Sequence, residues 1–198
     1  MKDMYSAAGI EIVTGGSGSN ESSGKANKEK GNGYSSTFTA NGKTYKEFKQ
    51  SRGDYSGEKY SGGNIASSGC GPTSVSIVAS GYGKKYNPGT LVKAAKKKYN
   101  VSNFTASPDA TAKMLKTAGL KYSTTYSLTK KQLKKQLKDG KPVVMSVDSS
   151  CGGLFTNNTH YIAILDINDK GKVYVSNPNP GKAGGWIDID KVIKCNSS

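Results

Sequence analysis

Apolar residues are nearly absent from one stretch of this chain and periodic in most of the rest. From Gly15 to Ser36 the sequence GGSGSNESSGKANKEKGNGYSS holds no Val, Ile, Leu, Met, Phe or Trp. A segment with so little apolar surface to bury cannot offset its own ordering entropy, so a flexible linker is expected there. The short apolar piece Ile10–Val13 ahead of it receives no assigned role. Aromatic residues return at Phe38, Tyr45 and Phe48, which starts the folded part near Thr44. The expected organisation is a flexible Gly/Ser/Lys-rich segment over 1–43 and one domain over 44–198. The abrupt beginning ahead of a Gly/Ser linker suggests a piece of a longer protein. Residues 51–68, rich in Gly, Ser and Tyr and without a period, are expected to be loop.

Four helices are predicted next, each with legible punctuation. The first runs from about Gly71 to Ser80, with Pro72 early, Val75, Val78 and Ala79 on one face, and Gly81 at the end. The second opens at Asn87-Pro88 and turns Val92, Ala95 and Tyr99 inward, leaving Lys93 and Lys96–Lys98 mostly outward. The third opens at Ser107-Pro108, buries Leu115 and Ala118 and stops at Gly119. The fourth carries the capping box Thr129-Lys130-Lys131-Gln132, then Leu133 and Leu137, and ends at Gly140.

After Pro142 the pattern changes to strands over 143–147, 161–165, 173–175 and 186–189, joined by short turns such as Asn168-Asp169-Lys170-Gly171. That spacing predicts antiparallel hairpins. Helices first and strands second make an α+β domain, with N-terminal helices packed on a C-terminal antiparallel sheet. No internal repeat is present.

Charge alters this picture more than size does. The 198 residues carry a formal charge of +15, almost wholly from lysine, with Arg52 the only arginine. Such a field attracts anionic partners: nucleic acid, anionic lipid, or a bacterial wall bearing phosphate polymers. Base reading and bidentate phosphate contacts lean on arginine, so specific nucleic-acid recognition is not expected. The plainer alternative is a solvated lysine surface. The apolar share is 34%. No stretch approaches the roughly 20 apolar residues of a membrane span, and 1–14 lacks the pattern of a signal peptide. Cys70, Cys151 and Cys195 leave two arrangements open: a Cys151–Cys195 bridge with Cys70 free, or three free thiols. Closely spaced Cys or His pairs are missing, so no metal site and no cofactor are expected.

The strongest chemical signal is Ser68-Gly69-Cys70-Gly71-Pro72-Thr73-Ser74. A cysteine entering a helix meets unpaired amides and the positive end of the dipole, which should lower its pKa. Flanking glycines let a substrate backbone approach. The single histidine, His160, stands where the polar run Asn157-Asn158-Thr159 enters the strand 161–165, in reach of a thiol on a neighbouring helix. Asn177, in Val175-Ser176-Asn177-Pro178, ends the next strand, and an antiparallel hairpin would bring it to His160 as an orienter. Asp166 lies at the opposite end of that hairpin. For the oxyanion, the Cys70 amide and the side chain of Asn64 are the candidates, with Tyr60 a further donor. Each residue also has an ordinary reading: a small buried hydrophobe for Cys70, a surface imidazole for His160, and turn formers for Asn64 and Asn177.

Residues 65–74, IASSGCGPTS, followed by a loop-to-strand His160 and a strand ending in Asn177-Pro178, resemble the peptidase C39-like family over roughly 44–194. The resemblance implies a papain-like fold and cleavage of peptide or amide bonds, with Cys70 as nucleophile and His160 as base. The family usually has aspartate where this chain has Asn177, and papain-like enzymes commonly have Gln at the oxyanion position for which Asn64 is the candidate here. The implied function is a cysteine peptidase or amidase. It would be a bacterial secreted or cell-surface protein acting on a surface protein or cell-wall peptide, perched on an anionic wall polymer. The alternatives are a non-catalytic papain-like module binding an anionic polymer, either cell wall or nucleic acid, and a transpeptidase using the same three residues.

Overall fold

The computed structural model describes residues 11–13 and 34–196. Its centre is a six-stranded sheet. The strands are β1 (Glu11–Val13), β6 (Ser123–Thr125), β7 (Val143–Val147), β8 (His160–Ile167), β9 (Lys172–Ser176) and β10 (Gly185–Asp188), in the order β10-β9-β8-β7-β1-β6. The run β7 to β10 is antiparallel, as the short turns predict. The other edge is not. β1 lies between β7 and β6, parallel to both, with Ile12 opposite Val144 on one side and Thr124 on the other. The short apolar piece that sequence left without a role is therefore an inner strand, and the β-branched Ile12 and Val13 suit its extended backbone.

Alternation along the strands sorts the core into two layers. Ile162 and Ile164 of β8, with Val143, Met145 and Val147 of β7, face one way. Ala163 and Leu165, with Val144, face the other. All eight are essentially inaccessible to solvent. On the Ala163 side pack α2 (Cys70–Gly81), α3 (Pro88–Tyr99) and α4 (Pro108–Thr117), through Val75, Val78, Leu91, Val92, Met114 and Leu115. On the Ile162 side pack α5 (Lys130–Lys138) and α6 (Ile189–Lys194), through Leu133, Leu137, Ile189 and Val192. The N-caps are those read from the sequence: Asn87, Ser107 and Thr129 each accept the N–H three residues on. α6 was missed, because the strand expected to continue through Ile189 ends at Asp188, whose carboxylate caps the helix instead.

The segment 1–43, expected as linker, contributes two described strands. One is β1. The other is β2 (Tyr34–Ala40), which turns through Asn41-Gly42, both in the left-handed region, into β3 (Lys43–Phe48). β3 lies against α2 so closely that a Cβ on Gly81 would stand 2.2 Å from the Tyr45 ring. From β2, Phe38 stacks on Tyr174 at 3.6 Å between ring centres. The remainder of that expected segment, 1–10 and 14–33, lies outside the described residues.

Residues 51–68 are also more ordered than loop. They form a 3-10 turn at Asp54–Gly57, a small hairpin of β4 (Lys59–Tyr60) and β5 (Gly63–Asn64), and α1 (Ile65–Ser68). Elements of two to four residues are too short for any period to announce them. A disulfide joins Cys151 to Cys195, tying the turn after β7 to the end of α6. The architecture is α+β.

Candidate active site

Helices α1 and α2 meet at Gly69. Its N–H donates to Ile65 O, and its own carbonyl accepts from Thr73, both at 2.9 Å. A Cβ there would sit 2.5 Å from Ile65 O, so only glycine makes this joint. Cys70 is thus fixed as the first residue of α2, and no side chain caps the helix above it. It is the free cysteine of the three and keeps part of its surface accessible. Its sulfur is approached by the backbone N–H groups of Tyr161, Gly71 and Cys70 itself. Here the sequence expectation is corrected: burial outweighs these amides, and the thiol is pushed up from its ordinary value rather than down.

The Tyr161 amide places the end of β8 against Cys70. Its neighbour His160 opens that strand, opposite Val147 of β7, and is 6% exposed. In the β8–β9 ladder Ser176 stands opposite Ala163. Asn177 and His160 therefore emerge on the same face, diagonal to one another. His160 Nε2 and Asn177 Oδ1 are 2.8 Å apart.

The orientation of the Asn177 amide is set by its other partners. Its Nδ2 donates to Phe155 O at 3.3 Å and Ala183 O at 3.0 Å. Its Oδ1 also accepts the N–H of Asn179 at 2.9 Å. An oxygen so placed can only accept, so the neutral imidazole carries its proton on Nε2 and leaves the lone pair of Nδ1 available. Burial holds the imidazole down at about 4, with the Asn177 bond opposing that shift.

Asp166, the weaker orienter, is at the far end of β8 and accepts from Asn41 Nδ2 at 3.4 Å. Asn64 has a structural task. As N-cap of α1 it accepts the Ser67 N–H through Oδ1 at 3.0 Å, while Ser67 Oγ accepts the Asn64 N–H at 3.1 Å. Tyr60 is 1% exposed. Its hydroxyl would be 3.9 Å from a Cβ on Gly71, the residue after Cys70. Burial first and Cys70 second hold this phenol far above its usual range.

Sequence reasoning passed over Gln50. Its N–H donates to Pro178 O, next to Asn177, at 3.0 Å. Its Nε2 donates to Ala66 O, four residues before Cys70, at 2.9 Å. It therefore bridges the two halves of the site, is 6% exposed, and holds a buried Oε1 with no partner among the described residues. A signal was there to read: Gln50 is the only glutamine ahead of Cys70.

Among the described residues no three His, Cys, Asp or Glu side chains gather as a metal site, and no helix is long and apolar enough to cross a membrane.

In comparison with known proteins, the sequence model of the Peptidase_C39 like family matches residues 43–196, from the start of β3 to the last described residue. No curated protein and no solved structure matches the chain.

Proposed function

The chain belongs to the Peptidase_C39 like family, and from that premise we propose that it is a papain-like cysteine peptidase with Cys70, His160 and Asn177 as its catalytic set. The observation that carries the proposal is the bond between His160 Nε2 and Asn177 Oδ1. It uses up one ring nitrogen and presents the other, unprotonated, on the strand whose next amide touches the Cys70 sulfur.

In the reaction His160 Nδ1 takes the proton of Cys70 Sγ as the sulfur attacks the carbonyl carbon of the substrate. The tetrahedral oxyanion is held by the Cys70 backbone N–H and a side-chain donor. We assign that donor to Gln50 rather than Asn64. One Nε2–H of Gln50 is spent on Ala66 O, which fixes the amide and leaves the second hydrogen for the oxyanion. The intermediate collapses to a thioester as the imidazolium returns its proton to the leaving amine. Water then attacks the thioester with His160 again as base. With the thiol raised and the imidazole lowered by burial, the resting pair is neutral, so proton transfer accompanies attack instead of preceding it.

Peptides are the substrate class. The Cys151–Cys195 disulfide supports an exported or cell-surface setting, since such bonds persist in oxidising compartments. Purified wild type and Cys70→Ala are to be compared on peptidoglycan and on generic peptide substrates. Cleavage should fall by about 10⁴ or more in the variant. Absence of any Cys70-dependent cleavage rejects the proposal.

One observation favours a second reading. The same burial that makes the resting pair neutral would also suit a papain-like shell that binds without cutting. Alkylation of Cys70 separates the two: a peptidase reacts with a peptide-directed acylating probe far faster than with a free small electrophile, and a binding shell does not. Resolution of the acyl group by an amine, the transpeptidase variant, is distinguished by product analysis.

A further inference from the structure

We propose that the lysine face formed by α5 and α6 is a docking surface for a soluble, flexible polymer of phosphate groups, separate from the Cys70 site and independent of what that site does.

The two helices turn their apolar residues to the sheet. Leu133 and Leu137 of α5 and Val192 of α6 are at most 1% exposed. Outward they present lysine, glutamine and Asp190, with Ile193 half-buried against the core. In α5 the cations recur at Lys130, Lys134 and Lys138, a charge for each ~6 Å of helix axis. α6 sets a second row beside it, because Asp190 shows where the rows meet. Its carboxylate is ion-paired to Lys130 at 2.7 Å. It is held below the usual carboxylate range by that lysine first, with Lys134 and Lys194 contributing through space. Cations of both helices therefore converge on one exposed acid. The segments 129–141 and 188–195 carry eight lysines against three aspartates, so the face stays strongly positive after every local pair is made.

Other lysines are differently employed. On α3, Lys93 and Lys96 share Glu58 at 3.5 and 3.1 Å, and Lys98 donates to Lys116 O at 3.0 Å. Those cations tie α3 to Glu58 and to α4, whereas the α5–α6 row has charge to spare.

The chemistry selects the partner. Lysine is a point charge with rotating donors, suited to phosphate oxygens presented in any orientation. Planar, bidentate reading of a carboxylate or base needs arginine, and none is on this face. A lipid surface would ask the helix to offer large apolar side chains outward for insertion, and here Leu133, Leu137, Ile189 and Val192 are buried and Ile193 is half-buried against them. The described residues have only Val101, Tyr126 and Trp186 as exposed large hydrophobics, none of them on α5 or α6. Successive phosphates of a soluble flexible chain meet none of these objections.

The experiment measures binding of the full chain to long-chain inorganic polyphosphate across a salt series. The triple variant Lys134→Gln, Lys138→Gln, Lys194→Gln is set beside a control of equal charge loss, Lys84→Gln, Lys85→Gln, Lys121→Gln. The face variant should bind at least tenfold more weakly. Its slope of log affinity against log salt should fall by about two, from three lost contacts at ~0.7 each. The control should lose less than threefold, and peptide cleavage should be unchanged in both. Equal losses in the two triples would overturn the proposal. So would failure of the wild type to bind polyphosphate, or tighter binding to anionic vesicles or to single-stranded DNA of matched charge. None of those results touches the reading of Cys70, which stands or falls on cleavage.

Discussion

Asn177 and Gln50 are both buried primary amides at the same site, and they are held in opposite ways. Asn177 spends everything it has: two donors on Phe155 O and Ala183 O, and one oxygen on His160 and on Asn179. Gln50 spends one N–H on Ala66 O and keeps the second, the donor an oxyanion needs, in reserve, while its buried Oε1 accepts from no partner among the described residues. A group whose task is to fix another group works best saturated, since each bond removes an alternative orientation. A group that must serve a transient ligand has to keep capacity in reserve. The sharpest way to break this contrast is Asn177→Ala. It frees the imidazole to flip and strands two carbonyls and an amide, so activity should drop by about 10³ or more. Stability should fall by on the order of 2–3 kcal/mol. Asn177→Asp keeps the acceptor and should recover much of the activity, with its acid limb moved upward by the new charge. Equal inactivity of the two variants would mean that Asn177 only supports folding.

Acid tests the same preorganisation from the side of the ring. His160 titrates at about 4 in the folded chain and near 6.5 when unfolded. Between those values the unfolded state binds more protons, so stability rises with pH there and is lost as pH falls from about 6.5 towards 4. Lowering the pH from 7 to 5 should cost about 2 kcal/mol from this residue alone. The Cys70 thiol, raised by burial, stays neutral throughout that window and adds nothing. Denaturant midpoints of wild type and His160→Gln at the two pH values provide the check. An equal fall in both proteins would show that the ring is not held neutral by burial.

The two amides also mark how far the sequence could be read. Asn177 was legible because it belongs to a long-range pattern with period: strands 143–147, 161–165 and 173–175 predict a hairpin, and the hairpin predicts which ends meet. The four long helices were legible by their caps for a similar reason. Gln50 announced itself only as the single glutamine ahead of Cys70, since what places it is a pair of backbone carbonyls, Pro178 O and Ala66 O, from two distant elements, and no local pattern encodes such a contact. β1 escaped for want of length. Three residues cannot show alternation, and their position between β7 and β6 is decided by the sheet. The thiol was misjudged in direction because helix position is visible in sequence, whereas the degree of burial that opposes it is a tertiary quantity.

The smallest expected effect discriminates most finely. Gln50→Ala should lower kcat by about 10² through loss of one oxyanion donor, with KM nearly unchanged, because the donor acts on charge that exists only in the transition state. Stability should move by less than about 1 kcal/mol. The variant loses the bond to Ala66 O but also removes the unpartnered Oε1, and the two terms offset each other. Asn64→Ala is the mirror image: it deletes the N-cap of α1, costs about 1 kcal/mol of stability, and should leave kcat within a few-fold of wild type. Steady-state kinetics and denaturant melts on the two variants therefore form a crossed pair. If kcat collapses in Asn64→Ala and survives in Gln50→Ala, the oxyanion donor is Asn64 after all. The reserve capacity of Gln50 would then need a ligand other than the transition state.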